Sequence, residues 1–347
     1  MPSWALVSWR PGDDWLLRAG RARAPLYLHS ESMDVGVTHD MARLPTELYS
    51  LAPTTDVDGL YLTRTWPSAA RPDREVSLDA YSGQRDTTAR FWRRDGLPPA
   101  VAAGAAFIDV NVRLSGLALT LRQSDLLLRT SMHRVRTRQL DGTSIPVTFP
   151  YVELMPGLGY YQVSNALPGP GLQTVRTIGN TIYSLGAEVQ LNPQWRASGE
   201  YVRNRQDDTE FASDTTSWQL ALFHPMGRLT PYASLARLTS RRSALDWYDR
   251  LTKSPLPATL PGARQINAAQ RLAAESIWVA DQRSLALGAS YALNPGLKLK
   301  GEWMRTHIGR VSRLVDTPPG SESPHDTSID VLTVNLNSPR LISKPRS

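Results

Sequence analysis

The feature that most constrains this chain is an alternation of apolar and polar residues, interrupted by turn residues. In 104–114, Ala106, Ile108, Val110, Val112 and Leu114 share one parity, and Phe107, Asp109, Asn111 and Arg113 share the other. Leu185, Ala187, Val189 and Leu191 alternate with Ser184, Gly186, Glu188 and Gln190. Leu297, Leu299, Gly301 and Trp303 alternate with Lys298, Lys300, Glu302 and Met304. A period of two sends successive side chains to opposite faces of a strand. No run approaches the ~18 consecutive apolar residues of a membrane-spanning helix. The expected fold class is all-β.

The punctuation alternates too. Short turns read Arg10-Pro11-Gly12-Asp13, Ser115-Gly116, Asn192-Pro193, His224-Pro225-Met226-Gly227 and Asn294-Pro295-Gly296, with two more expected at 67–73 and 155–159. Between them lie longer polar connections near 24–56, 83–103, 130–144, 165–177, 204–215, 240–276 and 308–325. A meander that crosses a membrane needs short turns on one side and permits long loops on the other. The pattern predicts a transmembrane antiparallel up-and-down β-barrel. Residues 185–203 and 287–305 repeat one strand, Asn-Pro turn, strand unit at an offset of 102, as expected of a wall built from similar hairpins.

Fifteen strands are expected: 3–10, 14–23, 57–66, 74–83, 104–114, 117–129, 145–154, 158–164, 178–191, 194–203, 216–223, 228–239, 277–293, 296–307 and 327–337. Single-chain bacterial barrels have an even count. The first strand runs into a short turn, so one strand is expected upstream, with sixteen implied. The N-terminus MPSWALVSWR also lacks a signal-peptide pattern, so both are expected to precede the chain as given. A single barrel domain is expected over 1–337, and a disordered basic tail over 338–347. Trp9, Trp15, Trp66 and Trp195 adjoin short turns, while Tyr201, Trp218 and Trp303 lie toward the other strand ends. Two aromatic belts are expected where a barrel meets both interfaces.

Composition narrows the chemistry. The 347 residues contain no cysteine and carry a net charge of +7. That removes disulfides, thiolate catalysis and sulfur-ligated metal sites. The 39 basic residues include 35 Arg and four Lys. They are scattered over strands and loops, as in Arg134, Arg136, Arg138, Arg241 and Arg242. No contiguous face for a nucleic-acid duplex is expected. The histidines His29, His39, His133, His224, His307 and His325 show no metal-ligand spacing. No P-loop, GxGxxG or GxSxG motif occurs. Asp56-Val57-Asp58-Gly59 lacks the later ligands of a calcium loop and reads as a turn. No metal, no cofactor and no catalytic residue is expected.

A wide barrel encloses a polar, water-filled interior. An outward Arg or Lys costs ~2–4 kcal/mol at the bilayer midplane, so parity assigns the charges. It places Arg18, Asp79, Asp109, Arg113, Arg122, Arg196, Glu200, Lys298, Lys300 and Glu302 on the interior side. Six cations against four anions in this set predict a weak anion preference. The connection 24–56 is too long for an ordinary hairpin. Met41, Leu44, Leu48 and Leu51 at helical spacing predict a short helix over 40–51. This segment is the first candidate for an inward-folding constriction, with Glu31, Asp34, Asp40, Arg43 and Glu47 facing a basic wall that includes Arg18. A rival is the connection 84–103, with Arg85, Arg90, Arg93 and Arg94. A second helix is expected at 266–277.

The segment RAGRARAPLYLHSESMDVGVTHDMARLPTELYSLAPTTDVDGLYLTRTW (18–66) and the LNP…GEW hairpins resemble proteobacterial outer-membrane porins and porin-like channels. The resemblance covers nearly the whole chain. It implies a 16-stranded barrel in a homotrimer in the outer membrane of a Gram-negative bacterium, in contact with outer-membrane lipid. It implies insertion by the barrel-assembly machinery and passive diffusion of small hydrophilic or anionic solutes past an inward-folded loop, commonly the third external one. With one strand upstream, 84–103 would be that third loop. One departure is the C-terminal strand, which runs into the basic, Pro-containing SPRLISKPRS instead of ending at an aromatic residue. Two other functions fit the composition: a soluble or surface β-sheet protein that binds acidic ligands through arginine, and an outer-membrane barrel enzyme.

Overall fold

Residues 4–52, 54–97, 99–321 and 324–338 are described by a computed structural model. The wall strands are β1 (Ala5–Gly12), β2 (Trp15–Arg23), β3 (Asp56–Pro67), β4 (Glu75–Arg93), β5 (Gly104–Gln123) and β6 (Leu126–Gln139). After an excursion containing β7 (Ile145–Pro146), β8 (Tyr151–Met155), β9 (Leu158–Tyr161) and β10 (Thr174–Val175), the wall resumes. It continues with β11 (Ile178–Asn192), β12 (Trp195–Gln206), β13 (Thr215–Phe223), β14 (Leu229–Ser240), β15 (Ala280–Asn294), β16 (Leu297–Ser312) and β17 (Thr327–Asn337). Helix α1 (Thr46–Tyr49) lies between β2 and β3, and α2 (Arg242–Lys253) and α3 (Ala263–Ser276) lie between β14 and β15. Among the described residues no helix is long and apolar enough to cross a membrane.

The 13 wall strands form one antiparallel sheet in chain order, with β6 pairing directly to β11. Strands β1 and β17 are its edges. Among the described residues the expected count of fifteen is therefore corrected to 13, and sixteen loses its basis. The hairpin at 145–164 leaves the wall: among the described residues β8 pairs only with β9, and β7 only with β10. Its aromatic residues explain why. Phe149 stacks on Phe211 at 4.1 Å and meets Trp247 of α2 edge-on at 6.0 Å, while Tyr160 packs with Leu256 and Ala263. This hairpin finds its apolar partners in a cap, not in lipid.

Two further boundaries differ from expectation. Ser115 and Gly116 make no turn; they pair with Arg134 and His133 inside β5 and β6. The turn falls instead at Ser124-Asp125, so β5 is one strand of 20 residues. Strand β4 continues to Arg93 through a segment expected to be loop. Backbone pairing there outlasts the apolar stripe, because a ladder beyond the lipid needs no apolar side chains. The helix expected at 40–51 shrinks to the four residues of α1, because Pro45 cannot donate a helical hydrogen bond. The helix expected at 266–277 exists as α3, whereas α2 was not foreseen. Of the expected basic tail, 339–347 lie outside the described residues.

The sheet is inside-out. On β13, Thr215, Ser217, Gln219 and Phe223 are buried, while Leu220 and Leu222 are exposed. On β17, Leu332 and Val334 are 81% and 79% exposed. Burying a Leu side chain yields roughly 1.5–3 kcal/mol, so rows of Leu facing outward make sense only against lipid. Trp9, Trp15, Trp66 and Trp195 lie outward beside the short turns. Tyr201 and Trp218, paired across β12 and β13, mark the opposite edge of the apolar band with Trp303 on β16. The fold is a transmembrane antiparallel up-and-down β-barrel wall.

Candidate functional site

The connection from β2 to β3 folds into the curl of the sheet and touches strands on its far side. Pro25, Gly36 and Pro45 deny it long helices, and local bonds shape it instead. Ser30 Oγ accepts from the Tyr27 backbone N–H at 2.7 Å, and the His39 ring meets the Ser32 carbonyl at 2.8 Å. Leu26, Tyr27, Leu48 and Tyr49 pack with Val57, Tyr61, Tyr81 and Val112 of the wall. Met41 packs with Ala221, Phe223 and Tyr232 on the other side.

Polar tethers complete the docking. Arg129 holds Glu31 bidentately at 2.9 and 3.0 Å. Asp40 accepts from Arg196 at 2.6 Å, from Lys298 at 2.9 Å and from Ser290 at 2.8 Å. Glu200 accepts from the Leu28 N–H at 2.9 Å and the Tyr49 hydroxyl at 2.8 Å. Lys300 Nζ donates to the Gly36 and Met41 carbonyls at 2.6 and 2.9 Å. Tyr232 donates to Glu302 at 2.8 Å and accepts from the Ala42 N–H at 2.8 Å. Glu47, fully buried, accepts from Gln282 at 2.8 Å and from Ser284. Arg43 donates to Thr333, and Arg23 pairs with Asp34. These bonds satisfy groups whose burial would otherwise cost several kcal/mol.

The loop's titratable groups respond to this setting. Burial would raise the Asp40 pKa, but the Lys298 ammonium, the Ser290 hydroxyl and Arg196 outweigh it and hold the pKa below the usual carboxylate value. Burial lowers the His29 pKa to about 3, with His39, Arg129 and Arg196 adding repulsion. The contact of His29 with Glu188 at 3.9 Å is thus a polar contact of a neutral ring at pH 7.

Eight of the ten residues assigned inward by parity share the loop-facing side. Arg18 faces Asp79 at 4.0 Å and lies over the Tyr61 ring, not against the loop acids. Arg122 is inward but sits near the short turn, 3.5 Å from Glu75. Asp109 and Arg113 are corrections: they stand on the outer face with Phe107, Leu117 and Leu119. Their inward counterparts are Val110, Val112 and Leu114, buried under the loop. Polarity misled there because the loop supplies an apolar partner inside and the strand projects past the lipid outside.

The rival connection turns elsewhere. Arg90 forks onto Asp316 at 3.1 and 2.5 Å, Arg94 pairs with Asp95 at 2.9 Å, and Arg93 ends β4 opposite Gly104. Arg85 turns inward, to Asp56. Sequence reasoning missed Arg129, Tyr49, Tyr232 and Glu200's role as a shared acceptor. Arg129, Ser131 and His133 are all buried on one parity of β6. Placing the turn at Ser124-Asp125 would have exposed that alternation.

The fold and the site define a transmembrane-type β-barrel wall around a charged, inward-turned loop. No family model matches the sequence, and no curated protein matches it. Solved structures do. The outer-membrane expressed OmpT of Vibrio cholerae is 12% identical over 92% of this chain and 75% of that chain, with a TM-score of 0.48. OprB of Pseudomonas putida is 10% identical over 95% of this chain and 70% of that chain, with a TM-score of 0.47. OccD3 (OpdP) of Pseudomonas aeruginosa is 9% identical over 97% and 77%, with a TM-score of 0.34.

Proposed function

We propose that this protein is an outer-membrane channel of the porin type, passing small hydrophilic solutes by passive diffusion with a weak anion preference, without catalysis. The observation that supports this reading is the charged loop tethered across a polar interior. Glu31, Asp40 and Glu47 meet Arg129, Arg196, Lys298 and the polar groups of β15. Acid on the loop opposite base on the wall makes a transverse field that orients dipolar solutes. Most interior cations are answered by a carboxylate, which keeps the anion preference weak. Arg18, Asp79, Arg122, Arg196 and Lys298 line this path, Glu200, Lys300 and Glu302 are buried beneath the loop and anchor it, and the loop 24–55 sets its bore. The chain inserts through the barrel-assembly machinery in a Gram-negative outer membrane and assembles as a homotrimer.

Planar-bilayer recording in a KCl gradient tests the proposal. Stepwise conductance with a reversal potential on the anion side is expected. Cation selectivity would remove the anion claim, and the absence of steps from correctly folded protein would remove the channel claim. Cross-linking in detergent reads the trimer separately.

A further inference from the structure

The outer wall of β2–β6 carries a feature that conduction does not use. Near the short turns its outward face is apolar, with Leu60, Leu62, Leu117 and Met132 exposed. Ala19, Ala80 and Ser82 lie between them, and the small side chains leave a groove of about 970 Å³. The groove ends at Arg134, where a second hollow of about 460 Å³ opens over Gly59 and Gly83, edged by Arg113, Arg134 and Arg136. The step from apolar to basic falls at the border of the band: Met132 pairs with Tyr183, and Tyr183 with Arg203.

The arginines here are arranged against their own repulsion. Arg113 and Arg136 are directly opposite in the β5–β6 register, a placement that destabilises like charges. Among the described residues, Arg113, Arg134 and Arg136 have no hydrogen-bond or ion-pair partner. The neighbouring acids are engaged: Asp58 is forked by Arg21 at 2.9 and 2.8 Å, Asp86 accepts from Asn111 at 2.7 Å, and Asp109 accepts from Thr88 at 2.7 Å. An anion bridging two guanidinium groups would turn the repulsion into paired bonds.

We propose that this wall binds a phosphate-bearing, acylated lipid of the surrounding membrane. The phosphate bridges Arg113 and Arg136 beside Arg134, and an acyl chain lies in the groove over Ala80. The continuity of groove and arginines selects this occupant. A free anion would leave the groove unfilled, and a second copy in a two-fold contact would bring the same arginines face to face. The proposal rests on the membrane placement of the wall and stands whether or not the barrel conducts.

Native mass spectrometry of the full chain refolded in detergent tests it. The probes are dioleoyl phosphatidic acid, dioleoylglycerol, dibutyryl phosphatidic acid and inorganic phosphate. Selective retention of dioleoyl phosphatidic acid is expected. The variant R113Q/R136Q is expected to weaken it about thirtyfold, with heat-modifiable gel mobility unchanged. Arg237→Gln, on the opposite wall, is expected to leave it intact. Equal retention of dioleoylglycerol, or displacement by inorganic phosphate with no dependence on chain length, would overturn the proposal. So would oligomers that exclude the lipid, or wild-type retention by R113Q/R136Q. The lipid series on the wild-type protein decides the matter even where the variant fails to fold.

Discussion

Asp40→Asn isolates the electrostatics of the loop. The carboxylate of Asp40 holds Arg196, Lys298 and Ser290 at 2.6, 2.9 and 2.8 Å. Hydrogen bonds to charged groups contribute about 1.5–3 kcal/mol each. The Arg196 and Lys298 side chains keep 25% and 22% of their exposure, so water recovers part of the loss, and ~3 kcal/mol in total is the working figure. The loop should stay docked, because Lys300 still holds the Gly36 and Met41 carbonyls. The main consequence is one negative charge fewer in the interior: Lys298 loses its carboxylate partner, and Arg196 keeps only Glu188 at 3.8 Å. One charge removed ~8 Å from an ion in water shifts its energy by about 0.5 kcal/mol, with opposite sign for anion and cation. The anion-to-cation permeability ratio should therefore rise about sixfold. The assay is the zero-current potential across a KCl gradient, compared with wild type. An unchanged ratio, or one moved toward cations, would refute the placement of Asp40 beside the conduction path.

Protonation should reproduce that effect. An unfolded Asp titrates near ~3.9, and Asp40 lies below its ordinary value in the folded loop. Its stabilisation is thus complete above about pH 4 and fades as pH falls through the lowered folded value. Wild-type anion preference should rise as pH falls below about 4 and through the lowered folded value, and Asp40→Asn should abolish that component; an identical pH dependence in the variant would count against it. Tyr49→Phe removes the hydroxyl that donates to buried Glu200 and should cost about 1–3 kcal/mol, read as a lower urea midpoint with unaltered strand content. Leu220→Arg, on the outward face of β13, should cost ~2–4 kcal/mol in vesicle refolding. Gln219→Arg, one residue away, tests the opposite face, and equal costs at both positions would contradict the inside-out wall.

Alternation in the sequence determined the fold class and the faces of most strands. The reason is local: a one-residue slip would send every Leu of a strand into the polar interior. The Asn-Pro turns at 192–193 and 294–295 were legible for the same reason, since their chemistry lies within four residues. Tertiary structure alone decided the rest. Whether 145–164 belongs to the wall depended on a distant aromatic partner, Trp247. The parity of Asp109 and Arg113 depended on which apolar surface, lipid or loop, lay against Val110 and Val112. The acids of the loop were visible in the sequence. Which wall cations they meet, Arg129, Arg196 and Lys298 and not Arg18, was set by how far the chain reaches across the curl. A strand's period is written in its neighbours, whereas a contact between Asp40 and Lys298, 258 residues apart, exists only once the sheet has curled around the loop.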